Sequence, residues 1–280
     1  MIPFDFDYYK PSSISEAVEL HRQLDEAGKQ PVYYSGGTEI ITLGRLNLFY
    51  TEAVIDIKGI PECCVCEIDG SNLHLGAGLS LAEIERADYF PLLTVTSKDI
   101  ADNTARMKIT LGGNVCSELI YREAILPFLL SDSHVITAGA SGEVSRPVNE
   151  LFNKELVLER GEFLVRFITE ERFLSAPYFH TKRRKQWNTG YPLITVAALQ
   201  AEGETRTAYS GLSSFPFRSQ EMDESLNLSN TPLRRKAEQA LNNIPHEIIS
   251  DSEGSAEYRK FVLKNVLMDV MTRMGRRGPE

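Results

Sequence analysis

Residues Pro31 to Leu46 read PVYYSGGTEIITLGRL: a short apolar run, a Ser-Gly-Gly turn, then an apolar-periodic segment that opens with Thr38 and Glu39. Val32, Tyr33 and Tyr34 are β-branched or aromatic, and such side chains pack well on a pleated, half-buried surface, so a strand is expected at Pro31 to Tyr34. Ser35 to Thr38 break it. Two adjacent glycines permit φ > 0 and let successive N–H groups approach a bound group with no Cβ in the way. Such a turn can form a concave nest for an anion. A helix starting at Thr38 would aim its unpaired first-turn N–H groups and positive dipole end at the same place, which favours a phosphate. Taken by itself, a Gly-Gly turn after a strand is more often only a turn.

Outward from this stretch the pattern is that of a βαβ unit. The strand at Pro31 to Tyr34, the helix from Thr38 and a strand at Ala53 to Ile57 predict a parallel pair, with the glycine turn at the carboxyl end where ligands of open α/β sheets bind. The spaced Gly-x-Gly-x-x-Gly of a Rossmann domain is missing. Ser13 to Ala27 has capping-box spacing, an apolar stripe and Gly28 as a stop, and so predicts a helix. From Val65 the signal changes to short strands, Val65 to Ile68 and Leu73 to Ala77, followed by a short helix at Leu81 to Ala87. Strands at His134 to Ala138 and Glu162 to Thr169 are expected to complete an antiparallel layer, with Ser141-Gly142 as a turn. A boundary is expected near Arg172 to Ala176. Beyond it, Leu193 to Ala201 and Thr207 to Leu212 predict a hairpin, and Pro232 to Leu241 and Ser255 to Met274 predict helices.

A second glycine pair stands at Thr110 to Asn114, TLGGN, again followed by an apolar run. Two such pairs could clamp one diphosphate. Together with their flanks they resemble the FAD-binding (medium) subunit of the molybdenum hydroxylases, which include xanthine and carbon monoxide dehydrogenases. Ser35, Gly36, Gly37, Thr38 and Glu39 match the family's first loop, and Thr110, Leu111, Gly112, Gly113 and Asn114 its second. Ser80 to Ile84, Arg106 and the Ala256-Glu257-Tyr258-Arg259 run extend the likeness over nearly the whole chain. The wording at Tyr121 to Ala124 and Thr189 to Leu193 is most like bacterial xanthine dehydrogenase members. Ile109 and Gly190 depart from the family's glycine and aspartate.

The resemblance implies an α+β fold: a two-part FAD-binding domain of the vanillyl-alcohol-oxidase type at 1–172, with a βαβ part to about residue 58 and a mixed part after it. A smaller α+β domain of the carbon monoxide dehydrogenase flavoprotein C-terminal type follows at 173–280. It implies FAD held by Tyr33, Tyr34, Ser35, Gly36, Gly37, Thr38, Glu39 and Ile40 on one side and Thr110, Leu111, Gly112, Gly113 and Asn114 on the other. Glu123 stands where many relatives carry an Asp for the nucleotide, Leu164 at a flavin-contacting position, and Lys182 as the candidate for the flavin-facing lysine. Electrons would come from an iron–sulfur subunit fed by a molybdenum-cofactor subunit, and pass to NAD⁺ or another acceptor. The 2Fe–2S clusters and molybdenum cofactor are expected on those partners.

The rest of the composition sets bounds. The 280 residues are 42% hydrophobic and 25% charged, with formal net charge -9. That sign argues against a general nucleic-acid binder. The cluster Lys182 to Lys185 runs against it and reads either as a solvated loop or as a lid over an anion. Trp187 and Tyr191 suit either ring stacking or a core. The start lacks the features of a signal peptide and no run approaches a membrane span, so a cytoplasmic protein with reduced thiols is expected. The spacing of Cys63, Cys64 and Cys66 fits neither zinc nor ferredoxin patterns, and small apolar side chains at the start of a strand are expected there. No nucleophile–base constellation, histidine ligand spacing or Gly-x-Ser-x-Gly elbow is visible. A redox flavoprotein predicts that absence, and the resemblance leaves three readings: the FAD-binding electron-transfer subunit, a self-contained FAD-dependent reductase or oxidase of the same fold, or a non-catalytic nucleotide-binding assembly module.

Overall fold

The structure is a computed structural model that describes residues 2–186 and 189–275. The chain forms two compact units that do not follow one another along the sequence. One comprises Met1–Tyr89, Ile100–Ser117 and Ser133–Glu171, and the other Phe90–Asp99, Glu118–Asp132 and Arg172–Glu280.

In the first unit the βαβ pattern becomes a three-stranded parallel sheet in the order Asp7–Tyr9, Ala53–Asp56, Val32–Tyr34, with Val32 opposite Val54 and Tyr34 opposite Asp56. Ala53, Val54 and Ile55 are fully buried or nearly so, as expected of a central parallel strand covered on both faces. The helix Ile14–Glu26 starts at Ser13, whose side chain accepts from the Glu16 N–H, and stops before Gly28 at φ +77°. Glu16 reaches back to the Ser12 N–H, one residue earlier than a capping box requires. The second part is a five-stranded antiparallel sheet in the order Cys66–Asp69, Asn72–Gly76, Phe163–Glu170, His134–Gly139, Gly142–Pro147. Ser80 and Glu83 form a complete capping box on the helix Leu81–Ala87. Cys63 lies in a short 3-10 turn, Pro61–Cys63, and burial pushes its thiol up to about 12; Cys66 opens the strand Cys66–Asp69. Among the described residues no group of three His, Cys, Asp or Glu side chains could hold a metal.

The second unit is a four-stranded antiparallel sheet in sequence order, Tyr178–Gln186, Thr189–Ala201, Glu204–Ser210, Phe217–Arg218, carrying the helices Gln220–Asn227, Leu233–Asn242 and Ala256–Gly275. Leu263, Val266, Leu267 and Val270 of the last helix are buried against Val196, Ala198 and Tyr209 of the sheet. Arg259, fully buried, donates to the Leu193 carbonyl and, at 2.5 Å, to that of Gly211, and pairs with Asp251 at 2.5 Å. The basic cluster Lys182 to Lys185 is not a loop. It lies on the strand Tyr178–Gln186, whose ladder partner Thr189–Ala201 supplies the pairing that local polarity conceals. Among the described residues no helix is long and apolar enough to cross a membrane.

Candidate functional site

The strand Val32–Tyr34 delivers the chain to a cleft of about 820 Å³, counting its open mouth. Gly37, at φ +68°, is the N-cap of the helix Thr38–Arg45, so the turn reverses in a left-handed conformation that glycine adopts without strain. The first N–H groups of that helix have no intrahelical partner. Beside them the Ser35 hydroxyl is buried and makes no hydrogen bond. Gly36 packs so tightly that a Cβ there would lie 2.0 Å from the Lys108 carbonyl oxygen. The absence of a side chain is what lets the first glycine turn touch the approach to the second.

The second pair is built differently from the first. Thr110 caps a short helix, Leu111–Val115, and its Oγ1 accepts from the Gly113 N–H at 3.2 Å. Gly112 and Gly113 sit inside that helix rather than in a left-handed turn. A Cβ on Gly112 would come within 2.7 Å of the Ala77 Cβ, so this glycine serves close packing. Backbone bonds from Leu111 N to Leu79 O, Gly112 N to Ala77 O and Leu81 N to Ile109 O, all 2.8–2.9 Å, staple the segment to residues 77–81. These are the residues that precede and open the capped helix Leu81–Ala87.

Both glycine segments face one cleft. Residues 33–40, Thr110, Gly112, Gly113 and Leu164 line it, whereas Leu111 is fully buried and Asn114 nearly so, and neither is on its wall. Ile57, Ala77, Ile109, Cys116, Leu158, Glu162 and Phe163 complete the wall; of these the sequence marked only Ile109, as a departure from the family's glycine, and none as a holding residue. Phe163 had a signal, as the neighbour of Leu164 in a predicted strand; Leu158 and Cys116 had none. The Tyr33 hydroxyl donates to the Gly161 carbonyl at 2.9 Å, and its ring lies 4.4 Å from Phe163 and 5.1 Å from His21. Burial raises its pKa, so at neutral pH it is a fixed neutral anchor. Glu39 accepts a 3.2 Å bond from the Ser117 hydroxyl.

Glu123 and Lys182 belong to the second unit and are paired with each other there. Lys182 Nζ lies 2.7 Å from Glu123 Oε2 and 2.7 Å from the Asp99 carbonyl, and the Thr195 hydroxyl donates to Glu123 Oε1 at 2.5 Å. Both oxygens of Glu123 are therefore engaged by protein. Full burial pushes its carboxyl above the ordinary carboxylate range, opposed by the Lys182 charge and the two side-chain bonds. Burial likewise drives His180, on the same strand, down to about 4. Tyr191 stacks on Tyr121 at 4.8 Å, while Trp187 lies outside the described residues.

Residues 4–169 match the family described as "FAD binding domain in molybdopterin dehydrogenase". The chain is 30% identical to a carbon monoxide dehydrogenase medium chain from Hydrogenophaga pseudoflava over 172 residues, 59% of this chain and 58% of that protein. It is 26% identical to a caffeine dehydrogenase subunit beta from a Pseudomonas species over 121 residues, 42% of this chain and 40% of that protein. These matched stretches span less than two thirds of the relatives' own length. Among solved structures, carbon monoxide dehydrogenase from H. pseudoflava superposes with a TM-score of 0.86 at 22% identity, covering 99% of both chains. Quinoline 2-oxidoreductase from Pseudomonas putida superposes at 0.83 and 20% identity, over 99% of this chain and 98% of that one. The α+β fold is that of the carbon monoxide dehydrogenase chain.

Proposed function

The chain belongs to the family of FAD-binding domains of the molybdopterin dehydrogenases, and from that premise we propose that it is the FAD-binding electron-transfer subunit of a molybdenum hydroxylase. The observation that carries the reading is the convergence of both glycine segments on one cleft, held together by the contact of Gly36 with Lys108. The residues present fit a dinucleotide. The unsatisfied Ser35 hydroxyl and the open N-terminus of the helix Thr38–Arg45 supply donors for a diphosphate, and the apolar wall of Ile57, Leu158, Phe163 and Leu164 supplies a surface for a flat ring. Residues 33–40 with Thr110, Gly112 and Gly113 are the proposed holding set, and Leu111 and Asn114 support it from beneath. Glu123 and Lys182 are assigned to the flavin by the resemblance. Residues 1–172 are the proposed FAD-binding domain and 173–280 the C-terminal domain.

Bound FAD would accept and release the electrons, so that the protein's work is to bind, orient and exclude water. The proposed donor is an iron–sulfur subunit, itself fed by a molybdenum-cofactor subunit, and the proposed acceptor is NAD⁺ or another electron acceptor, in a cytoplasmic complex. The proposed substrate class is a purine of the xanthine type. It is supported by the wording of Tyr121 to Ala124 and Thr189 to Leu193, and by a relative named for caffeine, also a purine.

The test is stepwise reduction. The flavin on this chain is expected to stay oxidised with purine alone, to bleach when the iron–sulfur and molybdenum subunits and xanthine are added, and to recover its colour with NAD⁺. Bleaching by purine in the isolated chain would instead identify a self-contained enzyme.

A further inference from the structure

The first glycine turn separates two clefts. Tyr34, Ser35, Gly36 and Thr110 line both the 820 Å³ cleft described above and a second of about 870 Å³, whose wall includes Lys58, Ser80, Arg86 and Lys108. Lys58 lines the second cleft and not the first. Its Nζ donates to the Ser35 carbonyl at 2.5 Å and sits 2.7 and 2.9 Å from the two carboxylate oxygens of Asp56. Asp56 is nearly inaccessible, at the carboxyl end of the central strand, and is held further by the Tyr8 hydroxyl at 2.5 Å and the Lys58 backbone N–H at 3.0 Å. The Lys58 ammonium also lies 5.0 Å from the centre of the Tyr34 ring, whose edge meets Tyr8.

A trans peptide is planar, so its C=O and the following N–H point in opposite directions. No peptide in the described chain is cis. With the Ser35 carbonyl bonded to Lys58, the Gly36 N–H is turned away from the Lys58 side. We propose that Lys58, clamped by Asp56 and Tyr8, is a positioning residue for the dinucleotide: it fixes the Ser35–Gly36 peptide so that its N–H meets the diphosphate. This rests on the reading that the diphosphate lies in the first cleft. Burial works against the charge of Asp56, but the bonds from Lys58 and Tyr8 outweigh it and keep the carboxyl below its ordinary range. The bond to Asp56 pushes Tyr8 up to about 12, so its hydroxyl keeps the proton that it donates to Asp56 at neutral pH.

The lock and a simple charge effect make opposite predictions for Asp56→Asn. Removing a negative charge near an anion site would tighten binding by Coulomb attraction alone; loosening the clamp weakens it. The experiment titrates the full-length apoprotein with FAD, ADP and adenosine, following flavin fluorescence or heat, with the fold of each variant checked by its melt. Lys58→Met is expected to weaken FAD and ADP by about tenfold or more, the scale of one charge-assisted hydrogen bond, and adenosine hardly at all. Lys58→Arg recovers most of the loss, and Asp56→Asn weakens FAD and ADP as Lys58→Met does. Tyr8→Phe, which keeps every charge, gives a smaller loss in the same direction and serves should the other variants fail to fold. Unchanged FAD affinity in Lys58→Met, or in Tyr8→Phe if that is the folded variant, overturns the proposal, as does tighter binding by Asp56→Asn. Gly37→Val separates the two levels: if it binds FAD like the natural chain, the cleft reading itself is wrong, whereas its loss beside a fully competent Lys58→Met rejects the clamp alone.

Discussion

Adding one methyl group at Gly36 tests whether the two glycine segments act as one cradle. The new Cβ would stand 2.0 Å from the Lys108 carbonyl oxygen, whereas ordinary contacts begin at 3.4 Å, so two backbones must part by about 1.4 Å. Neither can move freely, because Ser35 is bonded to Lys58 and residues 109–112 are stapled to residues 77–81. Overpacking of this kind costs roughly 1–3 kcal/mol of stability. Displacing the turn by over an ångström also takes at least one N–H out of reach of the diphosphate, worth about 1.5–3 kcal/mol, or roughly 10- to 150-fold in the FAD dissociation constant. Gly44→Ala is the control, since its Cβ would meet nothing nearer than the Phe4 ring, at 3.4 Å, and Gly44 is not on the cleft wall. Urea unfolding of the apoproteins and FAD fluorescence titration read the two effects separately. Gly36→Ala with FAD affinity within twofold of the natural chain would refute the shared cradle.

Three further outcomes follow from the second unit. His180 takes its proton near 6.5 when unfolded but only at about 4 when folded, so the unfolded state binds more protons between those values. Stability is therefore full above pH 6.5 and falls by up to about 3 kcal/mol as the pH drops to 4, and His180→Gln flattens that part of a denaturation–pH profile. Glu123→Ala strands the buried Lys182 ammonium and is expected to cost about 3–5 kcal/mol in urea unfolding, most of it recovered when Lys182→Met is added. Arg259→Met leaves the Leu193 and Gly211 carbonyls without their buried donor and should lower stability by roughly 3 kcal/mol in the same assay; an unchanged midpoint would mean the helix does not depend on that anchor.

Where short-range chemistry decides the outcome, the fold was legible. Ser80 with Glu83, Ser13 with Gly28 and the alternation around Asp69-Gly70 each carry their own local reason, and the elements fall within a few residues of expectation. The parallel strand pair was readable because a glycine turn between two apolar runs admits few other connections. The strand Tyr178–Gln186 was not, since a Lys-Arg-Arg-Lys run has no strand propensity of its own and is held by pairing with the more apolar strand that follows it. The grouping of Phe90–Asp99 and Glu118–Asp132 with the C-terminal residues depends on contacts far apart in sequence. In the site, the first glycine pair behaves as its sequence suggests, with Gly37 at positive φ. The second shares its residue types but uses them for packing under a threonine cap, a difference that only the position of Ala77 reveals. Lys58 escaped notice because nothing in its neighbours marks it; its role depends on a carbonyl 23 residues earlier in the chain.

The most direct measurement is the visible absorption spectrum of the purified natural chain, followed by release and identification of its flavin, beside a Gly37→Val, Gly113→Val double variant. Bound FAD in the natural chain, lost from a variant that still melts cooperatively, is the expected result. A natural chain that stays colourless at saturating FAD, or a double variant that retains the cofactor, would contradict the two-segment cradle.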